Sequence, residues 1–519
     1  MSMTVGPFES APRPFSRVMV ANRGEIAVRI LKAAREAGLG SVAVFSDADA
    51  SSLHVEVADE AVHIPGESLA ETYLNSEALI SAALSSGADA IHPGYGFLSE
   101  RSDFAVAVVE AGLVWIGPPA EAISTMGDKI SARVRMIESG VQVIPGEELT
   151  VPDGADHLGV LASCAARVGY PLLLKASAGG GGKGMREVRE PKLLRTEYEA
   201  ASREASAAFG DGTIYVEHLL TGARHVEVQI LADSHGSCIH LNERDCSLQR
   251  RHQKVLEEAP SPAVDSELRQ AMGAAAVKAA QAVGYEGAGT VEFLLSSSDD
   301  FYFLEMNTRL QVEHPVTEMT TGIDLVLKQF EVAAGLPLGI VQDDIGISGH
   351  AIEARVYAED AARGFLPCVG RLSTWKIPQG PGIRVDSGVR QGDTVTIDFD
   401  PMLAKLIVHA PSRPAALRRL DTALSDLIAL GVTTNIDFLR DVAAHHAFAS
   451  GSVTTDFLDS SDVSALSMPE ADPAVLVAVA CASQRLGLER AASAGDLEAS
   501  DEHTGHSGDP FRTLTRSFP

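Results

Sequence analysis

Two short segments of the chain carry residues suited to phosphate and metal chemistry. The first is the glycine run Lys175-Ala-Ser-Ala-Gly-Gly-Gly-Gly-Lys-Gly-Met185, and the second is Glu305-Met-Asn-Thr-Arg-Leu-Gln-Val-Glu-His314. Consecutive glycines let backbone N–H groups turn toward phosphate oxygens, and Lys183 adds positive charge. The run is not a Walker A loop, because Ser177 replaces its first glycine and Gly184 replaces its Ser/Thr. A flexible hairpin tip is the alternative interpretation.

The second segment ends a predicted antiparallel hairpin. Its strands are Thr290–Leu295 and Phe301–Asn307, in which apolar and polar residues alternate. A two-residue turn at Ser298-Asp299 would place Glu292 opposite Glu305. A slip of one residue would send the two carboxylates to opposite faces, so the register decides whether they can act together.

Side chains alternate between the two faces of a strand, so Glu305, Asn307 and Arg309 should share one face. Carboxylate and amide oxygens are hard ligands that suit Mg²⁺ or Mn²⁺ bound to phosphate oxygens. The planar fork of Arg309 suits an anion such as bicarbonate, and Glu313 could act as a general base. The alternatives are a solvated polar sheet face and a structural ion pair between Arg309 and Glu313.

Two further groups of charged residues have open interpretations. The basic run Arg250-Arg-His-Gln-Lys254 could hold phosphate or bicarbonate, or it could be a solvated surface. Arg355 alternates inward with Glu353, and its guanidinium is suited either to a developing oxyanion or to a salt bridge between domains.

Composition excludes some function classes. The chain has 519 residues, with 42 basic and 70 acidic side chains and a net charge of −28, which argues against non-specific binding to nucleic acid. Its five cysteines form no CxxC pair, which indicates a reducing compartment and no structural zinc. Cys246, beside a charged segment, is either accessible or a small semi-buried side chain. Neither a signal peptide nor a membrane span is predicted, so we expect a cytoplasmic protein.

The order of predicted elements indicates an α/β protein. Residues Arg17–Ile30 have the pattern of a strand, a glycine turn and a helix, and Ser41–Ser46 and Ala88–His92 are further predicted strands with a helix at Ser76–Ser85 between them. This alternation predicts a parallel sheet covered by helices. From Gly349 the chain is rich in predicted strands to Ile407 and helical from Pro414 to Leu430.

Together these segments resemble the biotin carboxylase component of biotin-dependent carboxylases, which belongs to the ATP-grasp family. The likeness extends from Ser16 to about Phe457. Besides the two segments above, it rests on Ala21-Asn-Arg-Gly-Glu-Ile-Ala, His92-Pro-Gly-Tyr-Gly-Phe-Leu-Ser-Glu, Met126-Gly-Asp-Lys, Glu243-Arg-Asp-Cys-Ser, Arg250-Arg-His-Gln-Lys and His314-Pro-Val-Thr-Glu. The resemblance favours an acyl-CoA carboxylase α chain.

The resemblance implies an ATP-grasp fold with a Rossmann-like N-terminal parallel-sheet domain and a β-rich C-terminal domain. The expected segments are a tail at 1–15, the N-terminal domain at 16–130, the ATP-grasp domain at 131–348 with a mobile lid at about 147–220, the C-terminal domain at 349–460, and a linker or disordered tail at 461–519.

The resemblance also implies a residue for each step of an ATP-dependent carboxylation. ATP would be bound by Lys129, Lys175, Gly181, Gly182, Glu217, His218, Leu219, Leu220, His225 and His252. Glu292, Glu305 and Asn307 would hold two Mg²⁺ or Mn²⁺ ions, and Lys254, Arg309, Gln311 and Val312 would surround bicarbonate. Glu313 would deprotonate bicarbonate for attack on the γ-phosphate, and Arg355 would stabilise the enolate of biotin, with Tyr95 shaping the biotin pocket.

The implied partners lie outside this sequence. The chain has no Ala-Met-Lys-Met biotinylation sequence, so biotin is expected on a carrier domain or protein, and the acyl acceptor is expected to be chosen by a carboxyltransferase. The chain continues some sixty residues past Phe457, as the start of a longer carboxylase α chain would. A homodimer or a larger complex is expected. Two other hypotheses are a different ATP-grasp ligase, such as half of a carbamoyl phosphate synthetase or a carboxylate–amine ligase, and a nucleotide-bound scaffold without chemistry.

Overall fold

A computed structural model of the chain describes residues 14–149, 157–176, 185–209, 212–251 and 253–459. Residues 177–184 of the glycine run, His252 and the predicted tail from 461 onward lie outside the described residues. Phe15, which the sequence analysis assigned to the N-terminal tail, is buried at 2% exposure in the core beneath the first helix. The folded part therefore includes at least this one residue more than predicted.

The N-terminal region is the predicted parallel sheet with helices. Its elements are β1 (Arg17–Val20), α1 (Gly24–Glu36), β2 (Gly40–Phe45), α2 (Leu53–Val57), β3 (Glu60–His63), α3 (Ser76–Ser85), β4 (Ala90–His92), α4 (Ser102–Glu110), β5 (Val114–Trp115) and α5 (Ala120–Gly127). The strands pair in the order β3-β2-β1-β4-β5, and all pairs are parallel. Val18, Met19 and Val20 are all fully buried, as expected for a strand covered on both faces.

The middle region contains two sheets. Its elements are α6 (Lys129–Glu138), β6 (Gly146–Glu148), α7 (His157–Val168), β7 (Leu172–Ala176), β8 (Met185–Val188), α8 (Leu194–Phe209), β9 (Ile214–His218), β10 (Arg224–Ala232), β11 (Cys238–Arg250), β12 (Gln253–Ala259), α9 (Ser266–Ala282), β13 (Gly287–Leu295), β14 (Phe301–Asn307), α10 (His314–Thr321) and α11 (Leu325–Ala333). Strands β6, β9, β7 and β8 form a small sheet with its own hydrophobic core, which we call the lid sheet. The lid sheet lies within the predicted lid, whose mobility stays a prediction.

The C-terminal region is mainly β-structure followed by helices. Its elements are β15 (His350–Tyr357), β16 (Glu359–Asp360), β17 (Leu366–Pro367), β18 (Gly370–Arg371), β19 (Thr374–Lys376), β20 (Ile383–Ser387), β21 (Thr394–Val395), β22 (Met402–Ala410), α12 (Arg413–Asp426), β23 (Ile428–Leu430), α13 (Ile436–Ala444) and α14 (His446–Ala449). The helix predicted to reach Leu430 ends at Asp426, because the next residues form β23 and pair with β19.

One large sheet joins the middle and C-terminal regions. Its eight strands lie in the order β14-β13-β10-β11-β12-β15-β22-β20. The pair β12 and β15 is antiparallel, with Leu256 opposite Ala354 and Glu257 opposite Glu353. The predicted boundary at 348/349 therefore separates two stretches of chain that share a sheet. This continuity brings charged side chains of the C-terminal region beside those of β12.

Buried His92 at the end of β4 gives the stability a defined pH dependence. Burial lowers the pKa of His92 to about 3, and its Nε2 lies 3.2 Å from Oε1 of Gln329. A group with a lowered pKa contributes stability that is present above its ordinary pKa of 6.5 and is lost as the pH falls toward 3. The free energy of unfolding of the parent should fall between pH 7 and pH 5. In His92→Gln, whose side chain does not titrate, we expect this fall to be smaller by about 2 kcal/mol. Urea unfolding at both pH values measures this, and equal losses in the two proteins would contradict it.

Candidate active site

A cleft of about 1080 Å³ lies between the lid sheet and the large sheet. The predicted site residues that line it are Lys129, Lys175, Glu217, Leu219, Leu220, His225, Lys254, Glu292, Glu305, Asn307, Arg309, Gln311, Val312, Glu313 and Arg355. Residues from seven separate stretches of the sequence, between Lys129 and Arg355, are thus brought to one site. Gly181, Gly182 and His252 lie outside the described residues, so their predicted contacts with ATP stay predictions.

The hairpin of β13 and β14 has the register on which the predicted metal site depends, since Glu292 lies opposite Glu305. The predicted two-residue turn is wrong. Leu295 pairs with Phe301, which leaves five residues in the turn, and the register then shifts between Glu292 and Phe293. This β-bulge restores the pairing that the longer turn would have displaced by one residue.

The hairpin presents a set of oxygen ligands. Glu292 is buried, and its carboxylate accepts hydrogen bonds from Asn307 Nδ2 at 2.7 Å and Gln311 Nε2 at 3.1 Å. Glu305 is exposed to the cleft directly across the pair of strands. Two carboxylates and the Asn307 amide oxygen, all on one wall of the cleft, match the hard ligands that Mg²⁺ and Mn²⁺ prefer. The residues present therefore fit the predicted ions.

Lys254 joins the wall of predicted metal ligands to the predicted general base. Its Nζ donates to Glu227 at 2.5 Å, to Glu292 at 2.9 Å and to Glu313 at 2.6 Å. Burial lowers the pKa of Lys254, but these carboxylates raise it well above its ordinary value. Lys254 is therefore an ammonium ion, and it supplies positive charge at the end of the cleft where an anion would bind.

Glu313 is held between Lys254 and Arg355. The side chain is completely buried, and Oε2 accepts a hydrogen bond from the Arg355 guanidinium at 2.9 Å. Burial and the neighbouring Glu227 alone would raise the pKa of Glu313, but the cations around it keep that pKa below its ordinary value. The carboxylate is ionised at neutral pH and can accept a proton. The alternative ion pair between Arg309 and Glu313 is not formed.

Arg309 is oriented from three sides. Its Nε donates to Oε2 of Glu100 at 2.8 Å, one terminal nitrogen donates to Gln311 Oε1 at 2.9 Å, and the other donates to Asn307 Oδ1 at 3.0 Å. The guanidinium lines the same cleft as the ammonium of Lys254. Both cations are suited to binding a small planar anion.

The same cleft combines charged with apolar side chains. Lys175 near the end of β7 forms an ion pair with Glu217 on β9. Met126, Ile130 and Phe303 are among the apolar side chains that also line the cleft. Cationic groups can hold a phosphate chain, and apolar side chains can hold a nucleobase.

His225 lines the cleft beside Glu292. Its Nε2 is 3.0 Å from Oε2 of Glu292. Burial lowers the pKa of His225, but the carboxylates of Glu292 and Glu227 together outweigh that effect, and the pKa is raised to about 9. The ring is therefore cationic at neutral pH in this arrangement.

Several predicted side chains lie elsewhere. Tyr95 does not line the cleft and its hydroxyl donates to Glu25, so its predicted part in a biotin pocket stays a prediction. His218 does not line the cleft either, and its Nδ1 lies 3.0 Å from the carbonyl oxygen of Gly169. Arg250 stacks on Phe365 at 3.8 Å, so that part of the basic run does not face the cleft. Cys246 is completely buried, as the alternative interpretation had it, and burial raises its pKa well above the ordinary value.

The structure adds residues to which the sequence analysis gave no role. Glu227 accepts a hydrogen bond from Lys254 and another from Arg244 Nε at 2.6 Å. Arg244 is completely buried and also donates to Gln229 and to two threonines. The alternation of Glu227 with His225 on β10 was a sequence pattern that could have pointed to Glu227. Glu100 was quoted in a motif, but only the fold shows that it reaches Arg309.

Comparisons with known proteins match three stretches of the chain to family models. Residues 14–123 match the model "Biotin carboxylase, N-terminal domain", residues 128–341 match "Carbamoyl-phosphate synthase L chain, ATP binding domain", and residues 353–460 match "Biotin carboxylase C-terminal domain". The methylcrotonoyl-CoA carboxylase subunit alpha of Glycine max is 51% identical over 445 residues, which are 85% of this chain and 60% of that subunit. This chain thus spans less than two thirds of that relative's length.

Two further proteins are similar over nearly their whole length. Biotin carboxylase 2 of Bacillus subtilis is 50% identical over 86% of this chain and 99% of its own. The biotin carboxylase domain of Hydrogenobacter thermophilus 2-oxoglutarate carboxylase, solved as a dimer with MgADP, ADP and bicarbonate, is 43% identical, with a TM-score of 0.81 over 86% of this chain and 98% of that one. Sequence, fold and cleft thus agree, and this chain belongs to the biotin carboxylase family.

Proposed function

We propose that the chain catalyses ATP- and bicarbonate-dependent carboxylation of biotin, the first half-reaction of a biotin-dependent acyl-CoA carboxylase. The observation that carries this proposal is the placement of Glu313, an ionised carboxylate held between Lys254 and Arg355 in a cleft that also contains Arg309. A base, an anion site and a cation for a developing oxyanion are thus within reach of one another.

The proposed chemistry begins with bicarbonate. Arg309 and Lys254 bind the anion, with Gln311 and Val312 beside it, and Glu313 removes its proton. A bicarbonate oxygen then attacks the γ-phosphorus of ATP, the bond to the β–γ bridging oxygen breaks, and ADP and carboxyphosphate form. Glu292, Glu305 and Asn307 would hold divalent cations, which neutralise charge on the phosphate oxygens.

The second step uses the products of the first. Carboxyphosphate breaks down to CO₂ and phosphate, phosphate takes the N1′ proton of biotin, and N1′ attacks CO₂. Arg355 stabilises the enolate oxygen of biotin. A closed lid would keep water from carboxyphosphate, because hydrolysis would waste the ATP.

Biotin is proposed to arrive on a carrier domain or protein, and a carboxyltransferase is proposed to use the product. The resemblance to a methylcrotonoyl-CoA carboxylase subunit supports an acyl-CoA as the final acceptor. The dimer recorded for the Hydrogenobacter domain supports a homodimer. In the described part of the chain, no helix is long and apolar enough to cross a membrane. The cytoplasmic location stays a prediction, since one of the relatives is mitochondrial.

The test is ADP formation measured with and without bicarbonate and free biotin. The proposal expects turnover that requires bicarbonate and increases with biotin. Turnover that responds to ammonia or an amino acid but not to biotin would support a different ATP-grasp ligase. ATP binding without phosphate release would support a scaffold.

A further inference from the structure

Lys405 is a buried cation that the proposed chemistry does not use. It lies in the middle of β22, its exposure is 0%, and it does not line the cleft. Its Nζ donates a hydrogen bond of 2.8 Å to the backbone carbonyl of Val312. Val312 lies between Gln311 and Glu313, so Lys405 holds the backbone of the segment that carries the proposed base. We call residues 310–313 the bicarbonate loop.

Acidic side chains surround the rest of this ammonium group. Glu25 Oε2 on α1 is 3.4 Å away, and Asp386 Oδ2 on β20 is 4.0 Å away. Glu353 on β15 is a third buried acid, and Lys405 acts to lower its pKa, although burial dominates and raises that pKa well above the ordinary value. A buried charge is costly unless it is paired and hydrogen-bonded. The Val312 carbonyl and these acids give the Lys405 side chain polar partners inside the fold.

Pairing with an acid does not by itself explain the position of Lys405. Asp386 already receives two hydrogen bonds from Arg384, at 2.9 and 2.7 Å. The closest polar contact of the Lys405 ammonium is therefore not an acid but the carbonyl of the bicarbonate loop.

The register of the large sheet places Lys405 directly opposite Arg355 on β15. Residues opposed in this way have Cβ atoms about 5 Å apart and point to the same face. Arg355 holds the side chain of Glu313, and Lys405 holds the backbone one residue earlier. Arg355 and Lys405, two neighbouring cations of the C-terminal region, thus contact the bicarbonate loop at two points.

We infer that Lys405 is a positioning residue for bicarbonate activation, fixing the Val312–Glu313 peptide so that Gln311 and Glu313 face the bound anion together. The inference rests on the proposed function. Lys405 does not line the cleft, and its effect passes through the bicarbonate loop. Displacing reacting groups by about 1 Å can cost about 100-fold in rate, so losing this contact should be measurable.

The test is Lys405→Met in the full chain, with Lys328→Met as the matched control. Lys328 on α11 also donates to a backbone carbonyl, that of Leu338 at 3.0 Å, and to a carboxylate, Glu331 at 2.6 Å, but it lies outside the cleft. We expect Lys405→Met to lower kcat/KM for bicarbonate by about 10- to 100-fold. The Kd for MgADP, measured by calorimetry, should change by no more than about twofold. Lys328→Met should leave both quantities unchanged.

Further variants make the outcome decisive. Lys405→Arg, which keeps a cationic donor, should recover part of the bicarbonate-specific loss, and Lys405→Gln should not. A folded Met or Gln variant with the parent's kcat/KM for bicarbonate would overturn the inference. The inference would also be overturned if Lys405→Met and Lys405→Gln both failed to fold while Lys328→Met folded, because Lys405 would then be needed for folding. If the parent itself shows no bicarbonate-dependent ADP formation, it is the proposed function that fails.

Discussion

Glu313→Gln is expected to lower the rate of bicarbonate-dependent ADP formation by about 10²- to 10⁴-fold, the usual contribution of a positioned general base. The amide keeps the shape of the side chain but cannot take the proton from bicarbonate. Lys254 retains hydrogen bonds to Glu227 and Glu292 in the variant, so the cleft should keep its form. Steady-state kinetics at saturating ATP and bicarbonate measure the effect.

The control is Glu243→Gln. Glu243 is equally buried on β11 and pairs with Arg269 at 2.7 and 2.8 Å, but it does not line the cleft. We expect its variant to keep the parent's rate. The pKa of Glu313 is held below its ordinary value, so the base form persists across the neutral range and Glu313 should produce no decrease in rate there. A Glu313→Gln enzyme within about tenfold of the parent would remove Glu313 from the role of base.

Arg355→Met is expected to lower the rate of biotin carboxylation by about 10²- to 10³-fold, the range for loss of an oxyanion-stabilising donor. Arg355 donates to Glu257 at 2.5 Å as well as to Glu313. Burial raises the pKa of Glu257 to about 7 even with Arg355 present, so in the variant this carboxyl can become neutral by taking a proton. The fold should therefore tolerate the change. Carboxybiotin formation with free biotin measures the rate, and MgADP affinity should be unchanged.

The sheet supplies a matched control for Arg355. The next residue of β12, Glu258, points to the opposite face and pairs with Arg413 at 2.6 and 2.9 Å, away from the cleft. Arg413→Met removes the same kind of buried pair without touching the site. If Arg355→Met and Arg413→Met lost activity equally, the role of Arg355 would be structural. That result would support the alternative interpretation of Arg355 as part of a salt bridge between domains.

The sequence was most informative where chemistry depends on local order. The strand–turn–helix at Arg17–Ile30 and the oxygen ligands of the hairpin follow from periodicity and residue type, and both are found in the fold. The pairing of Glu292 with Glu305 was predicted correctly from an incorrect turn, because a bulge compensated for the longer loop. Single-residue insertions of this kind leave no clear trace in an alternating pattern.

What the sequence did not reveal depends on contacts between distant segments. Glu100 meets Arg309 across 209 residues, and Lys405 meets Val312 across 93. A lone charged residue in an apolar strand such as β22 gives no indication of its partner until the strand order is known. Tyr95 illustrates the same limit, since its motif does not show that its hydroxyl donates to Glu25 on α1. Family motifs predicted which residue types are present better than where each side chain points.

The most direct test of the account uses bicarbonate labelled with ¹⁸O in all its oxygens. If bicarbonate attacks the γ-phosphorus, the C–O bond of carboxyphosphate breaks later and the bridging oxygen stays on phosphorus. The account therefore predicts that each phosphate released in bicarbonate-dependent turnover carries one labelled oxygen, detectable by mass spectrometry. Phosphate whose new oxygen comes from solvent would show that water attacks ATP, and would contradict the proposed roles of Arg309, Lys254 and Glu313.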